Sequence, residues 1–343
     1  MQVNVLDVHF NRIGIVDDFS SVIWTKRYFE CGDFEIYLRA NNEILALFQE
    51  GTYVSRDDDD MVGIIETIKL TTDVENGNYL TISGRCLKAM LERRIVWYQT
   101  NLYGRVDLAL EQLVEHNAVN TGNINRDFLN LSIGHIPWTD ETINKQITGD
   151  NLYTTVVEFC KTYGWGFEIV RKVGQLVTFN VYTGTNRTNE IIFSAEYDTL
   201  PRTNYLRSVL NYRNTARVAG EGEGTARKSV IIGDDNVDLD RYETFVDARD
   251  VSSNDGEINE ANYRKLLINR GNAKLAESKL QVVVDGEVNT MEQYEYKKDY
   301  FVGDIVSIKT EYGITTTSRI LEAIEVEDAT GYRTILTFSS WEV

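Results

Sequence analysis

The sequence predicts a mainly β protein with an α+β insertion: two small β-barrel domains, residues 1–98 and 191–343, with an α+β unit over 99–190 between them. Three observations carry that expectation. Runs rich in Val, Ile, Tyr and Phe recur between Gly, Asn and Asp turns at both ends of the chain, and such short, evenly spaced strands suit a closed barrel. In the middle, apolar residues change from a period of two to helical spacing and back. The clearest local unit is Val62-Gly-Ile-Ile-Glu-Thr-Ile-Lys-Leu70 followed by Tyr79-Leu-Thr-Ile-Ser-Gly-Arg85. Asn76-Gly77 between them provides the positive φ of a tight reversal, which predicts a hairpin.

Taken in order, Val3 and Val5, then Ile13 and Ile15, alternate as strands do, and Val22-Ile-Trp24 and Phe34-Glu-Ile-Tyr-Leu38 follow. Ile44, Leu45, Leu47 and Phe48 predict one or two helical turns over 42–48 before Tyr53-Val-Ser resumes the sheet. Asp57, Asp58, Asp59 and Asp60 form a run of four carboxylates. A calcium loop spaces its ligands at alternating positions, with a turn glycine and a closing Glu. This run lacks both, so a solvated hairpin tip is expected. After the hairpin, Leu87, Met90 and Leu91 fall at i, i+3 and i+4 and predict a short amphipathic helix over 86–96 with one apolar stripe on the sheet.

Val106, Ala109, Leu110, Leu113 and Val114 keep helical spacing, as do Leu152, Val156, Phe159 and Cys160. The second run has Asp150 or Asn151 as N-cap and Gly164 as stop. Residues 117–148 are polar and turn-rich. Trp165, Phe167 and Ile169 alternate, Lys172-Val-Gly-Gln175 turns the chain, and Val177, Phe179 and Val181 alternate back, completing the α+β unit. Strands are then expected at 191–193, 206–219, 228–232, 243–248, 280–284, 304–309, 314–325 and 333–338. A helix over 260–278 carries an apolar stripe of Tyr263, Leu266, Leu267 and Leu275. Gly220-Glu-Gly-Glu-Gly224 invites a phosphate reading, but Glu221 and Glu223 place negative charge where a phosphate would sit, and no Gly-Lys-Ser/Thr follows. Residues 234–260 hold ten acidic residues against Arg241 and Arg249 and read as solvated loops around one strand.

With 343 residues, 42% of them hydrophobic and only two prolines, the chain is long and apolar enough for two or three cores, and a folded, soluble, multi-domain protein is expected. The N-terminus alternates like a strand and lacks a signal peptide's apolar run, and no stretch is long enough to span a bilayer. Cytoplasmic synthesis is expected. Cys31, Cys86 and Cys160 are widely spaced and odd in number, which argues for buried free thiols over a disulfide framework. His9, His116 and His135 have no metal or nucleophile spacing, so no catalytic, cofactor or metal residues are assigned. The net charge of −18 and the lack of a basic cluster longer than Arg93-Arg94 or Lys297-Lys298 exclude tight nucleic-acid binding.

The order Trp24, Gly32-Asp-Phe-Glu-Ile-Tyr-Leu38, Leu80-Thr-Ile-Ser-Gly-Arg85 and Leu91-Glu-Arg-Arg-Ile-Val96 resembles the start of the tail-hub, or baseplate-hub, proteins of long-tailed bacteriophages. Gly184-Thr-Asn-Arg-Thr188 with Phe193-Ser194, Val218-Ala-Gly-Glu-Gly-Glu-Gly-Thr-Ala-Arg227 and Tyr300-Phe-Val-Gly-Asp-Ile-Val306 extend the resemblance over nearly the whole chain. It implies two tail-tube-like barrels per chain and a homotrimer that matches a hexameric tail tube to a trimeric tip, spike or fibre. It also implies tail-tube, distal tail and tape-measure proteins as neighbours, a place in the virion tail, and a channel that DNA crosses without specific binding. Longer members carry a cell-wall hydrolase or fibre region after the hub; here the chain ends soon after the second barrel, so such activity is expected on another protein. Two other classes compete with a structural hub: a cell-wall glycosidase or peptidase built on the central unit, and a carbohydrate-binding module using Trp97, Tyr98 and Tyr103. Aromatics beside a sheet, however, ordinarily belong to its core.

Overall fold

Alternation near the N-terminus becomes the strands Val3–Leu6, Arg12–Val16, Ser21–Arg27 and Asp33–Arg39, and Val62–Asp73 pairs antiparallel with Gly77–Cys86 as the hairpin requires. The structure is a computed structural model. It describes all residues except 75–76, 173, 195, 198, 201, 254–257, 289–292, 310–312, 314 and 340–343, with backbone alone for 202–205, 281–288 and 339. The turn residue Asn76 therefore lies outside the described residues; its neighbour Gly77 takes φ 93°. Packing groups the chain into two units, Met1–Asn204 with Val284–Val343, and Tyr205–Val283.

In the larger unit, Gly331–Ser339, Thr315–Asp328, Ser21–Arg27, Asp33–Arg39, Gly77–Cys86, Val62–Asp73, Tyr53–Ser55, Val3–Leu6 and Arg12–Val16 lie side by side in one sheet. Its two chain ends thus meet in mid-sheet, with Ile324 opposite Thr25 and Val326 opposite Ile23. The expected closed barrels are not formed: the strand path stays open, and no barrel closes among the described residues. Closure needs the first and last strands of a sheet to pair in a defined stagger, and period-two alternation carries no information about that pairing. One face of the N-terminal strands buries Val22, Trp24, Phe34, Ile36 and Leu80. A larger core runs from Leu6 and Tyr28 through the two middle helices to Phe193, Val306 and Phe338. The α+β segment is therefore packed into the same core as residues from both chain ends.

Local signals placed the helix Leu152–Tyr163 closely. The Asn151 side chain accepts from the Thr154 N–H at its start, and Gly164 at its end takes φ 67°, a left-handed conformation that costs glycine little. The helix Val106–Val114 forms as expected and continues into a π turn, Glu115–Val119. The segment after the hairpin differs from expectation: Leu87–Arg93 is a 3-10 helix. Spacing of three residues serves either helix type, and here Lys88 is drawn inward, its Nζ 2.8 Å from Arg27 O and 2.9 Å from Glu30 O. Two pairings escaped the sequence pattern. Thr100–Arg105 pairs with Thr142–Ile147, and Leu131–Ile133 runs parallel to Val177–Tyr182. Their polar composition hides them, since Leu102 and Ile147 alone among the first pair's residues are buried apolar.

The smaller unit packs the helix Glu260–Glu277 on a sheet of Ser229–Ile232, Thr215–Ala219 and Glu243–Asp247. The expected long strand over 206–219 is two strands, Arg202–Ser208 and Thr215–Ala219, separated by an exposed bend at Val209 and Leu210. Tyr263, Leu267 and Gly271, four residues apart, form the buried helix face. A Cβ on Gly271 would lie 2.4 Å from both Ile232 Cδ1 and Val218 Cγ2. Gly271→Val is therefore expected to destabilise this unit by about 1–3 kcal/mol, although leaving glycine favours the helix itself. Urea unfolding reads the change; a stabilised variant would show that the close helix approach is not what glycine serves there.

Candidate functional site

Tyr28, directly after the strand Ser21–Arg27, is fully buried at a junction of distant segments. Its hydroxyl donates to Gly164 O at 2.9 Å and receives Arg319 Nη1 at 3.3 Å, while Nη1 also donates to Gly303 O at 2.6 Å. Its ring meets Phe29 and Tyr182 edge to face. Two glycines admit the ring: a Cβ on Gly166 would come within 2.3 Å of it, and one on Gly303 within 2.5 Å. Gly303 also takes φ 103°, a conformation other residues rarely adopt. Burial pushes the Tyr28 hydroxyl up, so it stays protonated and keeps donating.

The carboxylate run belongs to a second junction. Arg56 Nε lies 2.9 Å from Asp58 Oδ1, its Nη2 bonds Asp58 Oδ2, and the same Nη2 is 3.1 Å from Glu325 Oε1. Lys297 Nζ lies 2.5 Å from Asp59 Oδ2 and 2.7 Å from Glu325 Oε2. Tyr332 donates to Glu325 Oε1 at 2.6 Å, and Lys26 pairs with Asp60 at 2.5 Å. The expectation of a solvated tip is corrected here: Asp57, Asp58 and Asp60 are exposed, but the Asp59 side chain is 0% exposed, that of Arg56 1% and that of Glu325 4%. Buried charge survives because each group has an opposite partner within ion-pair distance. For Asp58 and Asp60, burial opposes ionisation, but Arg56 and Lys26 respectively outweigh it and hold the carboxyls below their usual range. With lysine and arginine already paired to these carboxylates, the run serves as a clamp between residues 56–60 and 297–325.

The other singled-out residues do not converge. His9, His116 and His135 are exposed on separate elements. The glycine loop is held by its own polar groups: Glu221 takes the Ser253 hydroxyl at 2.8 Å, and Arg227 donates to Gly220 O at 2.9 Å and Ala219 O at 2.7 Å. Arg241 binds Asp234 and Glu243, tying part of the acidic stretch together. Trp97, Tyr98 and Tyr103, expected in a core, are 55, 71 and 81% exposed, and Trp138 is 69% exposed. The Arg126 guanidinium stacks 4.8 Å over Trp97, and Arg105 lies 5.4 Å over Trp138. Among the described residues no group of His, Cys, Asp or Glu could hold a metal ion, and no helix is long and apolar enough to cross a membrane.

The described residues thus form two clamps and a set of exposed aromatics, and comparison with known proteins agrees with the fold. Residues 2–338 match the family model described as Siphovirus ReqiPepy6 Gp37-like protein. The chain belongs to that family. No curated protein matches the sequence. Among solved structures, the tail protein of Neisseria meningitidis MC58 shares 13% identity and a TM-score of 0.66, over 98% of this chain and 96% of that one. Prophage tail protein gp18 of Listeria monocytogenes EGD-e shares 13% identity and a TM-score of 0.62, over 100% and 95%. The 43 kDa tail protein of prophage MuSo2 from Shewanella oneidensis shares 12% identity and a TM-score of 0.64, over 98% of both chains.

This Gp37-like chain thus has the fold of phage tail proteins, as the resemblance implied. Sequence reasoning missed its two junctions. Tyr28 stands beside Phe29 as one aromatic among many, and Lys297 and Glu325 lie far from the Asp run. A non-glycine residue with positive φ, Lys297 at 69°, marks the second junction, but only coordinates reveal it.

Proposed function

We propose that this chain is a structural, non-enzymatic hub subunit of a phage tail tip or baseplate, or of a phage-derived injection device. The observation that carries the reading is the full-length fold likeness to three tail proteins, two of them from prophages, joined to a family match over residues 2–338. In this reading the protein is a homotrimer. Residues 1–98 and 191–343 supply two quasi-equivalent modules per protomer, with 99–190 between them, so three chains match a six-fold tail tube and a three-fold tip, spike or fibre. Tail-tube, distal tail and tape-measure proteins are its neighbours in the virion tail. The exposed Trp97, Tyr98, Tyr103 and Trp138 support a subunit role, being apolar surface of the kind that assembly covers. The charge of −18 supports a channel wall that DNA crosses without binding, because basic side chains there would hold phosphates.

Native mass spectrometry of the purified chain, with cryo-EM of the assembled particle, tests this reading. Trimers are expected in solution or on the tube, around a lumen of net negative charge. A stable dimer in both settings overturns the hub. A lumen dominated by Lys and Arg overturns the charge argument alone, and murein digestion by the purified chain would favour a cell-wall-degrading enzyme.

A further inference from the structure

The fold brings together two cysteines that are 55 residues apart in sequence. Cys31 Sγ and Cys86 Sγ are 3.3 Å apart, and both residues are buried. The backbone on either side is already paired: Cys86 N–H donates to Gly32 O at 2.8 Å, and Gly32 N–H donates to Cys86 Sγ at 3.2 Å. Further along the same chain segment, Lys88 is buried with its Nζ on the carbonyls of Arg27, Tyr28 and Glu30 and 4.5 Å over the Phe167 ring. Its ammonium favours the thiolate of Cys86 two residues before it, while burial lowers the ammonium's own hold on its proton. Cys86 and Lys88 also line a cavity of about 20 Å³, with Lys26, Asp60, Glu168 and Tyr182 among its other walls. That is room for one water-sized molecule within a mainly apolar lining. Two packed thiols do not by themselves require a buried ammonium on the same segment or a small void lined by one of the pair.

We propose that Cys31 and Cys86 form an oxidative modification site, in which a small peroxide converts the thiol pair into a disulfide that staples the corner at residues 28–32 to the end of the strand Gly77–Cys86. Cys86 is the attacking sulfur. Burial alone would push its thiol up, but the Cys31 S–H, Lys88 and the Gly32 N–H favour its thiolate and bring it down, whereas Cys31, bonded to Cys86, is pushed up. The Cys86 thiolate attacks one peroxide oxygen; the O–O bond breaks, and the departing hydroxide takes a proton to become water. Cys86 is then a sulfenic acid. Cys31 Sγ attacks its sulfur, the S–S bond forms as the S–O bond breaks, and the hydroxide leaves as water with the Cys31 proton. Two thiols have lost two electrons, and the peroxide has been reduced to two waters. If the chain is a tail subunit, it folds as a dithiol in a reducing cytoplasm and meets oxidants after the particle is released. That timing rests on the proposed function, whereas the sulfur chemistry does not.

The purified full chain, treated with hydrogen peroxide and digested with trypsin without reduction, tests the site. Peptide 28–39 linked to peptide 86–88 is expected, with Cys160 still a thiol, and dithiothreitol reverses the link. The oxidised protein melts roughly 5 °C or more above the reduced form, as closing a loop of this length predicts. Cys160→Ser retains the link and the shift. Cys31→Ser and Cys31→Ala lose both, which keeps the test valid should Cys86→Ser fold poorly. Three unreacted thiols after treatment, over-oxidation of Cys86 with Cys31 still reduced, or a link through Cys160 would each overturn the proposal, with the tail reading untouched.

Discussion

Tyr28→Ala is expected to cost the larger unit about 3–5 kcal/mol, the range for truncating a fully buried aromatic. Three segments lose their common partner at once: the Gly164 carbonyl loses the Tyr28 donor, Arg319 loses one of its two acceptors and keeps Gly303 O, and Gly166 and Gly303 face a void where the ring lay. Because those glycines are held close to the ring, collapse around the void is limited. Tyr28→Phe separates the two contributions. It keeps the ring and its edge contacts with Phe29 and Tyr182 but removes the hydroxyl, for an expected loss of about 1–3 kcal/mol from buried groups left unpaired. Chemical denaturation of both variants gives the comparison. A Tyr28→Ala loss under about 1 kcal/mol would mean that this junction does not hold the chain ends to the middle helices.

Glu325→Ala is the second large effect, at about 3–5 kcal/mol, because it removes the buried carboxylate that Arg56 and Lys297 share, leaving Arg56 with the exposed Asp58 alone and Lys297 with Asp59 alone. Removing a cation with it should recover part of the loss, so the double variant Glu325→Ala with Lys297→Ala should lie well short of the two single losses added together. Additive losses would mean that these groups do not act as one cluster. The same clamp limits acid stability. Asp58 and Asp60 titrate lower in the folded protein than in the unfolded chain, so their contribution is complete above the unfolded value, near pH 4. It is lost as pH falls through their folded values. Glu168 opposes this: burial raises its carboxyl, so its ionisation on raising the pH disfavours the fold. A stability profile that stays flat as the pH falls below about 4 would contradict the role given to Asp58 and Asp60.

Much of the secondary structure was legible because its causes are local. Asn151, the apolar spacing through Cys160, and Gly164 define a helix within its own residues. The hairpin needs only two β-rich runs and a glycine at positive φ between them. The 3-10 turn at Leu87–Arg93 sits at the edge of that reach, because its spacing fits two helix types. The hidden strands Thr100–Arg105 and Leu131–Ile133 lay beyond it, since partners rather than composition make them strands.

By itself, then, the sequence determined a β-rich fold, its capped middle helices, the missing metal and nucleophile motifs, and the order of residues that places it beside tail proteins. Only the tertiary structure decided that Ser21–Arg27 pairs with Thr315–Asp328 in an open sheet, that Asp59 is buried against Lys297, that Tyr28 reaches Arg319, and that Cys31 meets Cys86. The physical reason is separation along the chain. A helix cap is satisfied within four residues, whereas Arg56 and Glu325 stand 269 residues apart and Tyr28 and Arg319 stand 291 apart. Neither partner's neighbourhood carries a mark of the other; burial and strand register, set by the whole core, bring them together.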